Sequence, residues 1–345
     1  MRNINLLQKK FRWVEFLAEK FITVTAFISF ACIVLIFIFV FKETLPVFFT
    51  EEKAISVIQE NEQQETYGDI PDELSENTNT ARQLLESSGN EGDASLSNLT
   101  GTQWQPVSED PKYGLFPLAA GSFKVTLIAI LFAAPIAILA ALFTAVFAPR
   151  WAKELLKPAI EILAGFPSVV IGFFALIVLA TAIQNLFGFE YRLNAFVGGI
   201  AMSLAVIPII YTIAEDAIAA VPKTLYEASL ALGATKWQTA LFVILPAAIP
   251  GIFAAVLLGF GRAFGETMIV LMATGNAALF SANPFEPVRT MSATIGAEMA
   301  EVVFGETHYN ILFLIGALLF VFTFSLNAVA EIFIRNRLMK KFGGQ

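Results

Sequence analysis

Apolar runs of about 20 residues recur along this chain, and a run of that length crosses the roughly 30 Å hydrocarbon core of a bilayer as an α-helix. No other feature limits the fold as tightly, because lipid offers the backbone no hydrogen-bond partners. Six such runs stand out, at about 21–45, 117–148, 158–186, 193–218, 241–275 and 309–336. The expectation is an all-α polytopic membrane protein with six transmembrane helices. Hydrophobic residues make up 57% and charged residues 15% of the 345 residues, whereas a soluble domain carries nearer a quarter charged. The second and fifth runs exceed one span and are expected to tilt or to project past the bilayer. The first run is followed by Lys42-Glu43-Thr44-Leu45-Pro46 and not by a small-residue cleavage site, so it reads as a retained helix and not a signal peptide. Cys32, a lone cysteine, cannot form an internal disulfide, and His308, a lone histidine, cannot build a His-rich metal site. The plain expectations are a buried thiol and a solvated loop imidazole.

Basic residues near helix ends set the orientation. They gather before the first run (Arg2, Lys9, Lys10, Arg12, Lys20), between the second and third (Arg150, Lys153, Lys157), between the fourth and fifth (Lys223, Lys236) and after the sixth (Arg335, Arg337, Lys340, Lys341). Both termini and the hairpin at 222–246 are therefore expected on the cytoplasmic side. The net charge of −7 is concentrated outside: between 50 and 112 stand fourteen carboxylates and three basic residues. That stretch has few large apolar side chains after Ile58, too few to offset its ordering entropy. It is expected to be a largely disordered, solvated loop with a short helix near Thr80–Glu86, so that deleting about 60–105 would leave folding intact. Its sign repels an anion, and a sharper reading makes it a contact surface for an external binding protein. The chain thus divides into 1–45 (N-terminus and first helix), 46–114 (acidic insert) and 115–340 (five-helix core, with a hairpin at 222–246).

The hairpin Glu227–Pro246, EASLALGATKWQTALFVILP, sits between two of the runs. Pro222 suits a first helical turn, and Leu225, Ala228, Ala231 and Leu232 recur at helical spacing. Gly233 permits a left-handed stop. Thr235 to Gln238 has the spacing of a capping box that opens a second helix. Two short helices joined at a glycine form a rigid knob suited to docking a second protein.

Inside the fifth run lies GFGRAFGETM, with Arg262 and Glu266 four residues apart, a spacing that places them on one helix face. Ionisable groups at membrane depth are costly and usually face a bundle interior or a wet path. One reading makes the two a structural ion pair. The other has them line a solute path, Arg262 meeting an anion with its forked donors and Glu266 moderating the attraction. Ser122, Thr126 and Ser168 could add hydroxyls, although membrane hydroxyls more often bond a neighbouring helix or the preceding turn. Glu161, at an expected helix start, and Glu215 and Asp216 read as capping or snorkelling groups. Kinks are expected at Pro135, Pro167, Pro208 and Pro250.

The hairpin resembles the "EAA loop" of permease subunits of ABC-type importers, carried here by Glu227, Ala228, Ser229, Gly233, Val243, Leu245 and Pro246. GRAFGETMIVLMATGN, Gly165-Phe-Pro-Ser-Val-Val-Ile-Gly172 and Gly121-Ser122…Thr126-Leu127-Ile128 are similar to the membrane subunits of the phosphate-specific ABC importer, and Met268–Asn276 follows the PstC type. The likeness covers roughly 115–340. It implies a type I ABC importer permease fold in a bacterial inner membrane. It implies a second, PstA-type permease, a PstB-type ATPase pair and a periplasmic, PstS-type phosphate-binding protein as partners. It assigns Glu227, Ala228, Gly233, Leu245 and Pro246 to ATPase coupling, and Arg262 and Glu266 to transport.

No G-x-x-x-x-G-K-[ST] loop occurs, so ATP and Mg²⁺ are expected on the partner ATPase and no cofactor on this chain. No metal-ligand cluster, hydrolytic arrangement or basic patch for nucleic acid is present. The alternatives are a permease for another oxyanion or small solute, and a non-transporting scaffold that senses phosphate.

Overall fold

The computed structural model describes residues 13–47 and 96–342. In chain order these form α1 (Trp13–Thr44), a short α2 (Leu96–Leu99), an antiparallel ribbon of β1 (Trp104–Gln105) and β2 (Lys112–Tyr113), then α3 (Phe116–Phe147) and α4 (Arg150–Ala164). There follow α5 (Ser168–Phe187), α6 (Ala195–Ala219), α7 (Lys223–Ala231), α8 (Lys236–Phe264), α9 (Met268–Ala273), α10 (Met291–Glu298) and α11 (Thr307–Phe342). Among the described residues six helices are long and apolar enough to cross a membrane: α1, α3, α5, α6, α8 and α11. The protein is an all-α polytopic membrane protein.

The core is a seam of small side chains. Ala129, Ala133, Ala137 and Ala141 recur every fourth residue on α3, so they share one face, and each is fully buried. That face lies along α6, where Gly198, Gly199, Ala201 and Ala205 answer it. Helices in lipid associate through close backbone approach, which small residues allow. α8 closes the other side of α6, and α11 packs against α8 through Phe264 and Phe322, 4.2 Å between ring centres. α1 stands outside this core. The most apolar stretch of its span has no buried residue, and it touches the rest chiefly through α11, as where Phe37 meets Phe320. Cys32 is accordingly exposed on α1 and not buried as expected.

Two apolar runs are divided differently from the expectation. The third does not begin at 158. Residues 150–164 form a separate amphipathic helix, α4, with Pro158 in its interior and Glu161 in its last turn. The spanning helix starts only after Gly165-Phe166-Pro167, at Ser168. The fifth run is not one helix to 275: α8 stops at Phe264, and α9 begins at Met268. Pro135, Pro208 and Pro250 lie inside spanning helices, whereas Pro167 is the N-cap of α5. Three spanning helices also contain a π-helical turn, at Phe143–Phe147, Ala175–Leu179 and Ala240–Ile244.

The end of the acidic insert is folded, contrary to the expectation of a solvated loop. Leu99, Trp104 and Tyr113 are buried with Leu118 of α3, Met291 of α10 and Ile311, Leu312 and Ile315 of α11. The Asn98 side chain ties the ribbon together, accepting from the Tyr113 N–H at 3.0 Å and donating to the Pro111 carbonyl. The helix expected near Thr80–Glu86 lies outside the described residues. Deleting 60–105 would remove Leu99 and Trp104 from this core, so it cannot be harmless. Trp104→Ala alone is expected to destabilise the protein by about 3–5 kcal/mol, visible as a lowered melting temperature in detergent; an unchanged melt would show that the ribbon contributes no packing.

Candidate functional site

Between α8 and α9 the helical path is interrupted beside charged residues. Gly265 ends α8, and Thr267 begins α9 without a side-chain cap. Arg262 occupies the last turn of α8. Gly259, one turn earlier, packs on Val206 and Ile210 in the middle of α6, so the guanidinium lies within the depth of the bundle. It is exposed, and no hydrogen-bond or ion-pair partner for it is found among the described residues. Glu266 lies in the break itself, half-buried, with its carboxylate accepting from the Thr267 N–H at 3.2 Å. The expected shared face does not survive: Glu266 is beyond the end of the helix that carries Arg262, and the two form no ion pair. The sequence could not show this, because Gly265-Glu266-Thr267 is short and the run stays apolar through Ala273.

The three hydroxyls of the sequence reading fall in different settings. Ser122 is buried and fully engaged. It donates to the Leu118 carbonyl at 2.9 Å and accepts from the Met291 N–H at 2.9 Å, so it fixes the start of α10 on α3. Thr126, one turn deeper on α3, is buried with a hydroxyl oxygen that has no partner. Buried polar groups are rarely left so, and Thr126 lies one turn from Phe123, whose ring meets Phe264 at the end of α8. Ser168 opens α5, half-buried; one turn on, Gly172 lies against Met268 and Ile269 of α9. Thr126 and Ser168 each lie one turn from a residue that packs beside the break, while Ser122 serves the fold.

The hairpin matches its expectation at the joint. Gly233 has φ +87°. Its N–H bonds the Leu230 carbonyl and the Ala234 N–H bonds the Ser229 carbonyl, the paired closing bonds of a Schellman motif. The capping box is complete, with Thr235 and Gln238 each accepting from the other's N–H. A 2.9 Å bond between the Ser229 and Thr239 hydroxyls braces α7 against α8. Glu227, Ala228 and Pro246 are exposed and Leu245 half-buried. Leu232 is 89% and Trp237 53% exposed, apolar surface of a kind that marks an interaction site. The second helix, however, does not end as a short piece. It runs through the π turn at Ala240–Ile244 into α8, so the hairpin and Arg262 belong to one continuous rod of 29 residues, about 43 Å long.

Sequence reasoning missed three contributors. Ser292 of α10 donates to the main-chain carbonyl of Glu266 at 2.7 Å, which holds the break in place; a hydroxyl far away in sequence carries no local signal of this. Glu215, read as a snorkelling group, is buried and takes a 2.9 Å ion pair from Lys157, joining α4 to α6 near the hairpin. That carboxylate holds the Lys157 ammonium above its ordinary pKa. His308 is not a solvated imidazole. Its Nε2 stands 2.9 Å from Glu298, which also accepts from Trp104 and Arg289. Among the described residues no cluster of His, Cys, Asp and Glu could hold a metal ion.

Residues 133–338 match the family described as "Binding-protein-dependent transport system inner membrane component". The chain is 42% identical over 226 residues to "Probable ABC transporter permease protein YqgH" of Bacillus subtilis, covering 66% of this chain and 73% of that one. It is 34% identical over 255 residues to "Phosphate transport system permease protein PstC" of Mesorhizobium japonicum, covering 68% and 77%. A protein of the same name from Xylella fastidiosa (strain Temecula1) is 32% identical over 261 residues, covering 70% and 79%. With an interrupted helix and an exposed hairpin in the matched region, and six membrane-length helices among the described residues, this chain belongs to the binding-protein-dependent transport system inner membrane components.

Proposed function

We propose that this chain is the PstC-type permease subunit of an ATP-driven phosphate importer, forming half of the translocation path. The similarity to phosphate permeases supports the substrate. The observation that carries the mechanism is the placement of Arg262, a guanidinium without a partner among the described residues and within the depth of the bundle, on the same rod as the exposed hairpin. A forked cation suits a tetrahedral oxyanion. Glu266, fixed in the neighbouring break, limits the depth of that well so the anion can leave, and Thr126 and Ser168 supply hydroxyls at its edge.

In this reading the hairpin faces the cytoplasm, as do both termini, in keeping with the basic residues near those helix ends. A separate ATPase pair, which holds ATP and Mg²⁺, grips Glu227, Ala228, Leu232 and Trp237. Closure of that pair tilts α8. A helix held by backbone hydrogen bonds moves as a unit, so displacement at Lys236 reaches Arg262 and shifts the path between its two openings. A second permease subunit completes the path, and an external binding protein delivers phosphate.

The test is reconstitution. The chain, purified with the subunits that accompany it, is placed in proteoliposomes with ATP, and uptake of radiolabelled phosphate is measured. ATP-dependent accumulation of phosphate over sulfate is expected. Sulfate uptake at equal ATP turnover would reassign the substrate, and the absence of any chain-dependent flux would favour the sensing scaffold.

A further inference from the structure

We propose that α10 is a strut linking the outer ribbon to the helix break, with Ser292 as a positioning residue for Glu266 and Glu298 as the anchor at the other end. The proposal deepens the transport reading and rests on it for its consequence, although not for its test.

Ser292 lies in the first turn of the eight-residue α10, and its hydroxyl is bonded to the Glu266 carbonyl. The same helix presses on the break with Gly296: a methyl group there would lie 2.5 Å from Thr267 Cγ2, so Thr267 would have to shift. Its start is pinned to α3 by the Met291–Ser122 bond. Its end carries Glu298, whose two oxygens accept from Trp104 Nε1 at 3.1 and 3.2 Å. Arg289 donates to one of those oxygens and His308 meets the other at 2.9 Å. Arg289 also donates through Nε to the Asn276 carbonyl at 3.1 Å, just past α9. Trp104 rings stack edge-on with His308 and Tyr113 at 6.0 and 6.1 Å. One short, well-anchored helix thus touches the ribbon at one end and the break at the other. Trp104 and Ser292 do not bond each other, and residues so separated normally act independently. A load placed on the ribbon from outside is transmitted along α10 to the backbone that presents Glu266.

The experiment reads hydrogen exchange at residues 265–271 in the assembled complex in nanodiscs, without any transported solute. Ser292→Ala is expected to speed exchange there by about 2- to 10-fold, the effect of one hydrogen bond, and Ser292→Thr to restore it. Trp104→Phe keeps an aromatic ring but removes the indole N–H together with part of the ring volume. It is expected to speed exchange at 265–271 as well, to leave the hairpin at 223–239 unchanged, and to add nothing to Ser292→Ala in the double variant. Where Trp104→Phe fails to assemble, Glu298→Met, which has no oxygen to accept from Trp104, cuts the same link. A Trp104→Phe effect confined to 98–113 and 289–308, additive effects in the double variant, or failure of the threonine rescue would each overturn the strut. In uptake assays the same substitutions should raise the apparent KM for phosphate and leave Vmax within about twofold, as expected for altered positioning of a binding group. A wild-type complex that moved no phosphate would overturn the transport reading and leave the exchange result to decide the strut.

Discussion

Arg262→Gln is expected to cut ATP-driven phosphate uptake by at least about 30-fold, while the chain still assembles with its partners. Glutamine keeps a polar side chain of similar reach but loses the charge and the fork. Removing one member of a desolvated, hydrogen-bonded charge pair costs about 2–5 kcal/mol, and about 1.4 kcal/mol is a factor of ten. Assembly should survive because the guanidinium satisfies no group of the described protein, so its loss leaves no buried partner stranded. Arg262→Lys should retain part of the flux, since the charge remains and only the bidentate geometry goes. Uptake of radiolabelled phosphate in proteoliposomes, normalised to complex recovered on size exclusion, is the measurement. Near-wild-type flux in the glutamine variant would remove Arg262 from the path.

Gly233→Val is expected to separate ATP hydrolysis from uptake. The glycine stands at φ +87° with no atom within 4 Å of where a Cβ would be. Space is therefore not the obstacle within this chain; backbone conformation is. A β-branched residue in the left-handed region is strained by roughly 1–3 kcal/mol, as much as the two closing bonds of the Schellman turn are worth. The joint would open and α7 would lose its fixed angle to α8. Transport should fall by about tenfold or more, with ATP hydrolysis persisting. Gly233→Asn, which tolerates a positive φ, is the control and should transport well. Both activities measured on one preparation decide the matter: a valine variant that stays coupled would show that the turn is incidental.

The residues differ in how openly they announced their roles. The six spans were visible because lipid imposes length and hydrophobicity directly. The hairpin joint was visible because its signals are local: a glycine, a threonine and a glutamine at fixed offsets decide the backbone whatever lies around them. The break at 265–267 was hidden because the polar stretch Gly265–Thr267 is short and the apolar run resumes at once; what holds it open is Ser292, contributed by another helix. The boundary at Ser168 was hidden for a related reason, since Ile160, Ile162 and Leu163 of α4 continue the apolar pattern on one face only. The ribbon around Trp104 was the hardest to anticipate. Its apolar residues are few and set among polar ones, and their partners on α11 are some 200 positions away. His308 followed it, since a histidine beside Glu298 can be recognised only once the ribbon is in place.

The alanine seam between α3 and α6 has its own consequence. Alanine has no side-chain torsion to readjust, and packed interiors do not deform smoothly. Two helices meeting through methyl groups and bare backbone have a single way to mesh, so they turn together like an axle keyed to its wheel. Whatever rearranges during a transport cycle must be borne by the pieces mounted around that axle.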